Sequence, residues 1–173
     1  QPKASVQDFR IVSTLDDSYR NGIFRLDVEL KNHRTNTAGL SIGYELLDNN
    51  GKVVANGEET VDVLAGKEGT VSFSKELSEV KTWTSEAPNL YKLLMTVKEN
   101  GKVTEVIPYN VGFRRIEIKE IDQKGTNGKN YHVLFINGQP LKLKGVNIHE
   151  HNPLTGHYVD EALMRKDLEL MKR

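Results

Sequence analysis

Between residues 24 and 30 the chain reads Phe-Arg-Leu-Asp-Val-Glu-Leu, so that every second side chain is apolar and each one between is charged. A period of two puts Phe24, Leu26, Val28 and Leu30 on one face and Arg25, Asp27 and Glu29 on the other, the pattern of a strand with one side in a core and one in water. A helix would scatter the same residues around its circumference. The alternation recurs in seven segments, residues 7–14, 23–31, 40–48, 52–61, 69–77, 90–98 and 102–113. Asn50-Gly51 and Asn100-Gly101 separate consecutive runs, and both residue types accept the positive φ that a tight hairpin turn demands. The fold class is therefore mainly β: seven short strands with regular turn signals predict an immunoglobulin-like or fibronectin-like β-sandwich over residues 1–120. With no cysteine, the disulfide of antibody domains is missing, and Trp83 and Tyr91 are expected to plug the core.

Past residue 113 the pattern changes. Arg114-Arg115-Ile116-Glu117-Ile118-Lys119 leads to Gln123-Lys124-Gly125-Thr126-Asn127-Gly128-Lys129-Asn130, a polar stretch without apolar anchors that reads as a surface loop at the border of a second domain, residues 121–173. Beyond it, His132–Ile136 and Pro140–Val146 flank Asn137-Gly138, a third hairpin signal. The chain then turns through Asn152-Pro153-Leu154-Thr155-Gly156 to Asp160, placed to cap a helix over residues 161–173. Leu163, Met164, Leu168 and Met171 fall on one face of that helix. Strand, loop and helix make half of a βαβ unit whose parallel partner is missing.

Lys plus Arg and Asp plus Glu each number 24, with the signs interspersed. Such a chain offers no basic face to nucleic acid or to an anionic membrane. No apolar run reaches the length of a membrane span, and the lack of cysteine suits the cytoplasm and the bacterial periplasm alike.

The densest cluster of chemically capable side chains is His149-Glu150-His151. Three readings compete. A metal reading joins His149, His151 and His157, although His-x-His alone lacks the firmly held third ligand that a catalytic metal needs. A structural reading makes both histidines hydrogen-bonding residues that orient the turn. A substrate-site reading rests on position, since the cluster ends a strand that leads into a helix, where βα barrels build their active sites. Asn147 lies on the same segment and joins His149, Glu150 and His151 as a candidate substrate contact.

Four runs, Trp83–Tyr91 (Trp-Thr-Ser-Glu-Ala-Pro-Asn-Leu-Tyr), Val111-Gly112-Phe113-Arg114, Ile136-Asn137-Gly138-Gln139-Pro140-Leu141 and Lys144-Gly145-Val146-Asn147-Ile148-His149-Glu150-His151, resemble in order the landmarks of glycoside hydrolase family 2. The His-Glu-His followed by Asn-Pro-Leu, a Gly, and Asp160-Glu161 is most similar to the β-galactosidase branch; β-glucuronidases and β-mannosidases are the neighbouring alternatives. The resemblance implies an immunoglobulin-like sandwich followed by the beginning of a (β/α)8 barrel, and a parent that hydrolyses terminal β-D-galactosides with retention. It implies that His149 binds sugar hydroxyls, while Ile148 stands where many members carry Arg. Retaining glycosidases need two carboxyl groups about 5–5.5 Å apart; in this family both lie on later barrel strands, so no catalytic residue is expected in this chain and it is expected to be inactive alone. No cofactor is expected here either, and Mg2+ is assigned to the parent. A sandwich that binds carbohydrate or protein without catalysis is the second functional class, and exposed aromatic side chains on one face would favour it. The apolar face of residues 160–173 is expected to pack against a second copy, giving a homodimer.

Overall fold

The computed structural model describes residues 2–172. Its first seven strands are β1 (Ala4–Leu15), β2 (Gly22–Asn32), β3 (Ala38–Leu47), β4 (Val53–Val63), β5 (Glu68–Leu77), β6 (Tyr91–Glu99) and β7 (Lys102–Val111). They match the seven alternating segments to within a few residues and form an antiparallel sandwich, β1-β2-β5 on one side and β4-β3-β6-β7 on the other. The alternating residues of β2 are all buried, Phe24, Leu26, Val28 and Leu30 each having no exposed surface. Facing them are Leu40, Ile42, Tyr44 and Leu46 of β3 and Leu93, Met95 and Val97 of β6. At roughly 1.5–3 kcal/mol per fully buried large apolar side chain, this single interior supplies the main driving force for folding. Phe24, Tyr44 and Phe73 run through it as a tilted stack with centroids 5.4 and 4.9 Å apart.

Asn32 is fully buried where the chain crosses from one sheet to the other. Its amide donates to the carbonyls of Asn36 (2.8 Å) and Val63 (2.9 Å) and accepts from the Arg34 N–H (2.9 Å). A buried polar side chain is tolerated because each of these groups is paired. The seam between the two outer strands β1 and β7 is closed by side chains: the Val6 N–H donates to Glu105 (3.0 Å), Phe9 meets Tyr109 edge to face at 5.4 Å, and Ser13 donates to the Gly112 carbonyl (3.0 Å).

Tyr91 enters the core as expected, its hydroxyl accepting from the Lys81 N–H (3.0 Å). Trp83 does not. It is half-buried on the surface of the sandwich, lying against Gly112 and covered by the Arg114 guanidinium 4.6 Å from its ring. The stretch expected as a loop over residues 123–130 is also different: Gln123 and Lys124 end a strand, β8 (Ile116–Lys124), Asn130 opens β9 (Asn130–Ile136), and only a tight turn at Gly125–Lys129 joins them. With β10 (Gln139–Pro140) they form a third antiparallel sheet, ordered β10-β9-β8. It belongs to the same compact unit as the sandwich, the unit that runs to Leu141.

The third sheet meets the sandwich through turn residues. The Asn137-Gly138 turn has φ of 49° and 77°, the left-handed pair that a two-residue hairpin requires. Asn137 donates its N–H to the Arg115 carbonyl (2.8 Å), accepts from the Arg115 N–H (2.9 Å) and donates to the Trp83 carbonyl (3.1 Å). Arg115 pairs with Asp17 (2.7 Å) and Glu117 (3.0 Å). The Tyr19 hydroxyl donates to Glu117 (2.8 Å) and accepts from Lys119. The hydrogen bond from Tyr19, aided by Lys119 and Arg115, holds the Glu117 carboxyl below its ordinary range. A depressed carboxylate contributes stability above its unfolded pKa that is lost as pH falls through the folded value. The melting-temperature difference between the natural chain and Glu117→Gln is therefore expected to be constant from about pH 8 to 6 and to shrink as acid protonates Glu117 below about pH 4. A difference that persists unchanged at the acid end would show that the carboxylate charge contributes nothing to the joint.

The second unit, from Lys142 onward, consists of an irregular segment and one helix, α1 (Glu161–Lys172). Asp160 caps α1 as expected, accepting from the Leu163 N–H at 2.8 Å, and Glu161 pairs with Arg165 one turn on. None of its described side chains is buried; Met164, Leu168 and Met171 lie exposed along one side. No helix among the described residues is long and apolar enough to cross a membrane.

Candidate functional site

The segment that carries the candidate residues leaves β10 by one further ladder bond, the Leu141 N–H donating to the Leu134 carbonyl at 2.7 Å. There the strand stops. The expected strand over Pro140–Val146 is reduced to β10, and residues 142–150 have no regular structure. Their composition still alternates in part, but a strand is stable only when a neighbour takes its N–H and C=O groups, and among the described residues none pairs with this segment. Leu143, Val146 and Ile148 are exposed.

Asn147, His149, Glu150 and His151 are exposed as well. Asn147, His149 and Glu150 make no side-chain hydrogen bond to another described residue, so the donors and acceptors of the His149 imidazole and the Glu150 carboxylate are available to a ligand. The chain then folds back tightly. Asn152 and Gly156 exchange two backbone hydrogen bonds of 2.8 Å, Gly156 taking φ of 70°, and the Asn152 side chain accepts from the Leu154 N–H. This turn brings His151 and His157 together, rings edge to face with centroids 5.4 Å apart. His149 does not join them in a cluster. Among the described residues no three His, Asp or Glu side chains converge as metal ligands.

Chemically the segment presents the His149 imidazole and the Glu150 carboxylate on consecutive residues, both exposed and able to hydrogen-bond polyhydroxylated ligands, and no second carboxylate on residues 142–151 to face Glu150. On the sandwich, Tyr109 is the exposed aromatic, about half accessible, and it is already engaged by Phe9. A sugar-stacking platform calls for more ring surface than that. Sequence reasoning overlooked the joint of Tyr19, Arg115, Glu117, Lys119 and Asn137. Asn137-Gly138 was visible only as a turn; the alternation Ile116-Glu117-Ile118-Lys119 was the signal for β8.

Comparison with known proteins gives two family matches, Glycosyl hydrolases family 2 over residues 4–114 and the TIM barrel domain of glycosyl hydrolases family 2 over residues 129–173. Curated relatives include a β-galactosidase of Aeromonas hydrophila, 34% identical over all of this chain and 16% of its own length. Another, from Streptococcus thermophilus, is 35% identical over 99% of this chain and 15% of its own length. The chain thus spans about one sixth of the relatives it matches. Among solved structures, a β-glucuronidase of Bacteroides uniformis superposes over 99% of this chain and 20% of its own, with a TM-score of 0.79 at 20% identity. A putative β-galactosidase from Bacteroides fragilis superposes over 96% of this chain and 24% of its own, with a TM-score of 0.78 at 20% identity. Both are likenesses of fold.

Proposed function

Since the chain belongs to glycosyl hydrolase family 2, with its sandwich in one family domain and its last 45 residues in the barrel domain, we propose that it is part of a β-galactosidase that hydrolyses terminal β-D-galactose residues with retention. The observation that carries this is the identity of 34–35% to β-galactosidases across the whole chain, including the segment around His149. The sandwich buttresses the barrel, and His149 hydrogen-bonds galactose hydroxyls with Asn147, Glu150 and His151 beside it. The free imidazole of His149 suits that role. A β-glucuronidase is the second reading; the fold likenesses, to a β-glucuronidase and to a putative β-galactosidase at TM-scores of 0.79 and 0.78, do not separate the two.

The test is kinetic, in the full enzyme that carries this chain. Chromogenic β-galactosides are expected to turn over far faster than the corresponding glucuronides. His149→Ala is expected to lower kcat/KM by about 2–3 kcal/mol, the scale of a hydrogen bond that a buried sugar makes in the transition state, while leaving the melting temperature unchanged. Preference for glucuronides selects the second reading. Normal kinetics with a lowered melting temperature assign His149 to the turn's own structure.

A further inference from the structure

The turn between β1 and β2 is built around Asp16. Its carboxylate accepts from Ser18 (2.8 Å), from the side chain of Asn21 (2.8 Å) and from the N–H groups of Arg20 and Asn21, and its carbonyl accepts from the Tyr19 N–H (3.1 Å). This loop holds Tyr19 at φ of 59°, a left-handed conformation that a bulky L residue avoids unless its surroundings impose it. The conformation places the ring directly on Gly138, where a Cβ would lie 2.7 Å from Cε2 of Tyr19. The hydroxyl reaches Glu117 and Lys119 on β8, and the Arg115 guanidinium lies 5.6 Å from the ring centroid.

One residue with a strained backbone, in the β1–β2 turn of the sandwich, thus touches both β8 and the β9–β10 turn with its side chain. No strand of the third sheet packs extensively along a strand of the sandwich; the connection is made by turn residues. A sheet tied so sparsely opens locally at low free energy unless something pins it. We propose that Tyr19 is that pin, an interlock that holds the β8–β9–β10 sheet, and with it the first residues of the barrel-family segment, in one fixed attitude on the sandwich. The strained φ is the device: it is retained because Gly138 and the Lys119–Tyr19–Glu117 chain of hydrogen bonds together over-determine it.

The experiment is amide hydrogen exchange on the 173-residue chain and two variants. Tyr19→Gly accepts the same φ but removes the ring, so the turn survives without the pin. Tyr19→Phe keeps the ring and removes the hydroxyl. In Tyr19→Gly, exchange in β8 and β9 is expected to accelerate at least tenfold while β2, β3 and β6 stay at their natural rates; Tyr19→Phe is expected to fall between. Equal acceleration in the sandwich and the third sheet would reduce Tyr19 to a general stabiliser and overturn the proposal, as would unchanged exchange in β8 and β9. No sugar enters the measurement, so its outcome is independent of whether the parent acts on galactosides.

Discussion

Truncating Phe113 to alanine is expected to destabilise the sandwich by about 3–5 kcal/mol, the range seen when a large aromatic leaves a cavity in a packed core. Phe113 has no exposed surface. Its ring meets Tyr91 edge to face at 5.2 Å and 89° and lies on Gly22, where a Cβ would come within 2.9 Å of it. Gly22 itself has no side chain that could move into the space. The Phe113 carbonyl also accepts from the Trp83 N–H at 2.8 Å, so the damage reaches the loop that supports Asn137. Urea unfolding followed by tryptophan fluorescence measures the loss, Trp83 being the sole tryptophan. Phe113→Leu, which refills part of the volume, is expected to cost clearly less. A loss under about 1 kcal/mol for Phe113→Ala would mean that the site collapses freely and the segment just after β7 is outside the cooperative core.

The second large effect is expected at Gly138. A valine there must adopt φ of 77°, which costs an L residue roughly 1–2 kcal/mol, and its Cβ would fall 2.7 Å from the Tyr19 ring, adding overpacking of about 1–3 kcal/mol. Together these place Gly138→Val at about 2–5 kcal/mol for docking of the third sheet. A double-mutant cycle separates the two causes. In the Tyr19→Gly background the steric part should vanish and the backbone part remain. If Gly138→Val costs the same with and without the tyrosine ring, the clash is relieved elsewhere and only the turn conformation matters.

The sandwich was legible because burial on one face imposes a period of two, and nothing else in the chain competes with it. Phe24, Leu26, Val28 and Leu30 declare their strand without any tertiary information. Trp83 was misplaced because its size argues for burial, whereas the loop around it fixes its backbone to the Phe113 carbonyl and leaves the ring on the surface under Arg114. Asn32 and Tyr19 were invisible for a different reason: their roles depend on partners 31 and 98 residues away in sequence, and no local pattern encodes such a meeting. At the candidate site, sequence resemblance singled out His149, but the expected strand beneath it did not form, since alternation in Leu141, Lys142, Leu143 and Lys144 cannot make a strand without a neighbour to bond. Asp160 was readable because capping is a local interaction.

The bond from the Val6 amide to Glu105 bears on solubility. At twelve residues β1 is long for an outer strand, and an outer strand with unbonded amides invites a foreign strand to add to it, the first step toward fibrils. Here a carboxylate already occupies the amide that a newcomer would need, the irregular register between Val6 and Asp8 bends the margin, and Pro108 leaves the neighbouring outer strand β7 one donor short. By the same physics, strand addition at the Val6 amide requires the Glu105 carboxylate to be displaced first.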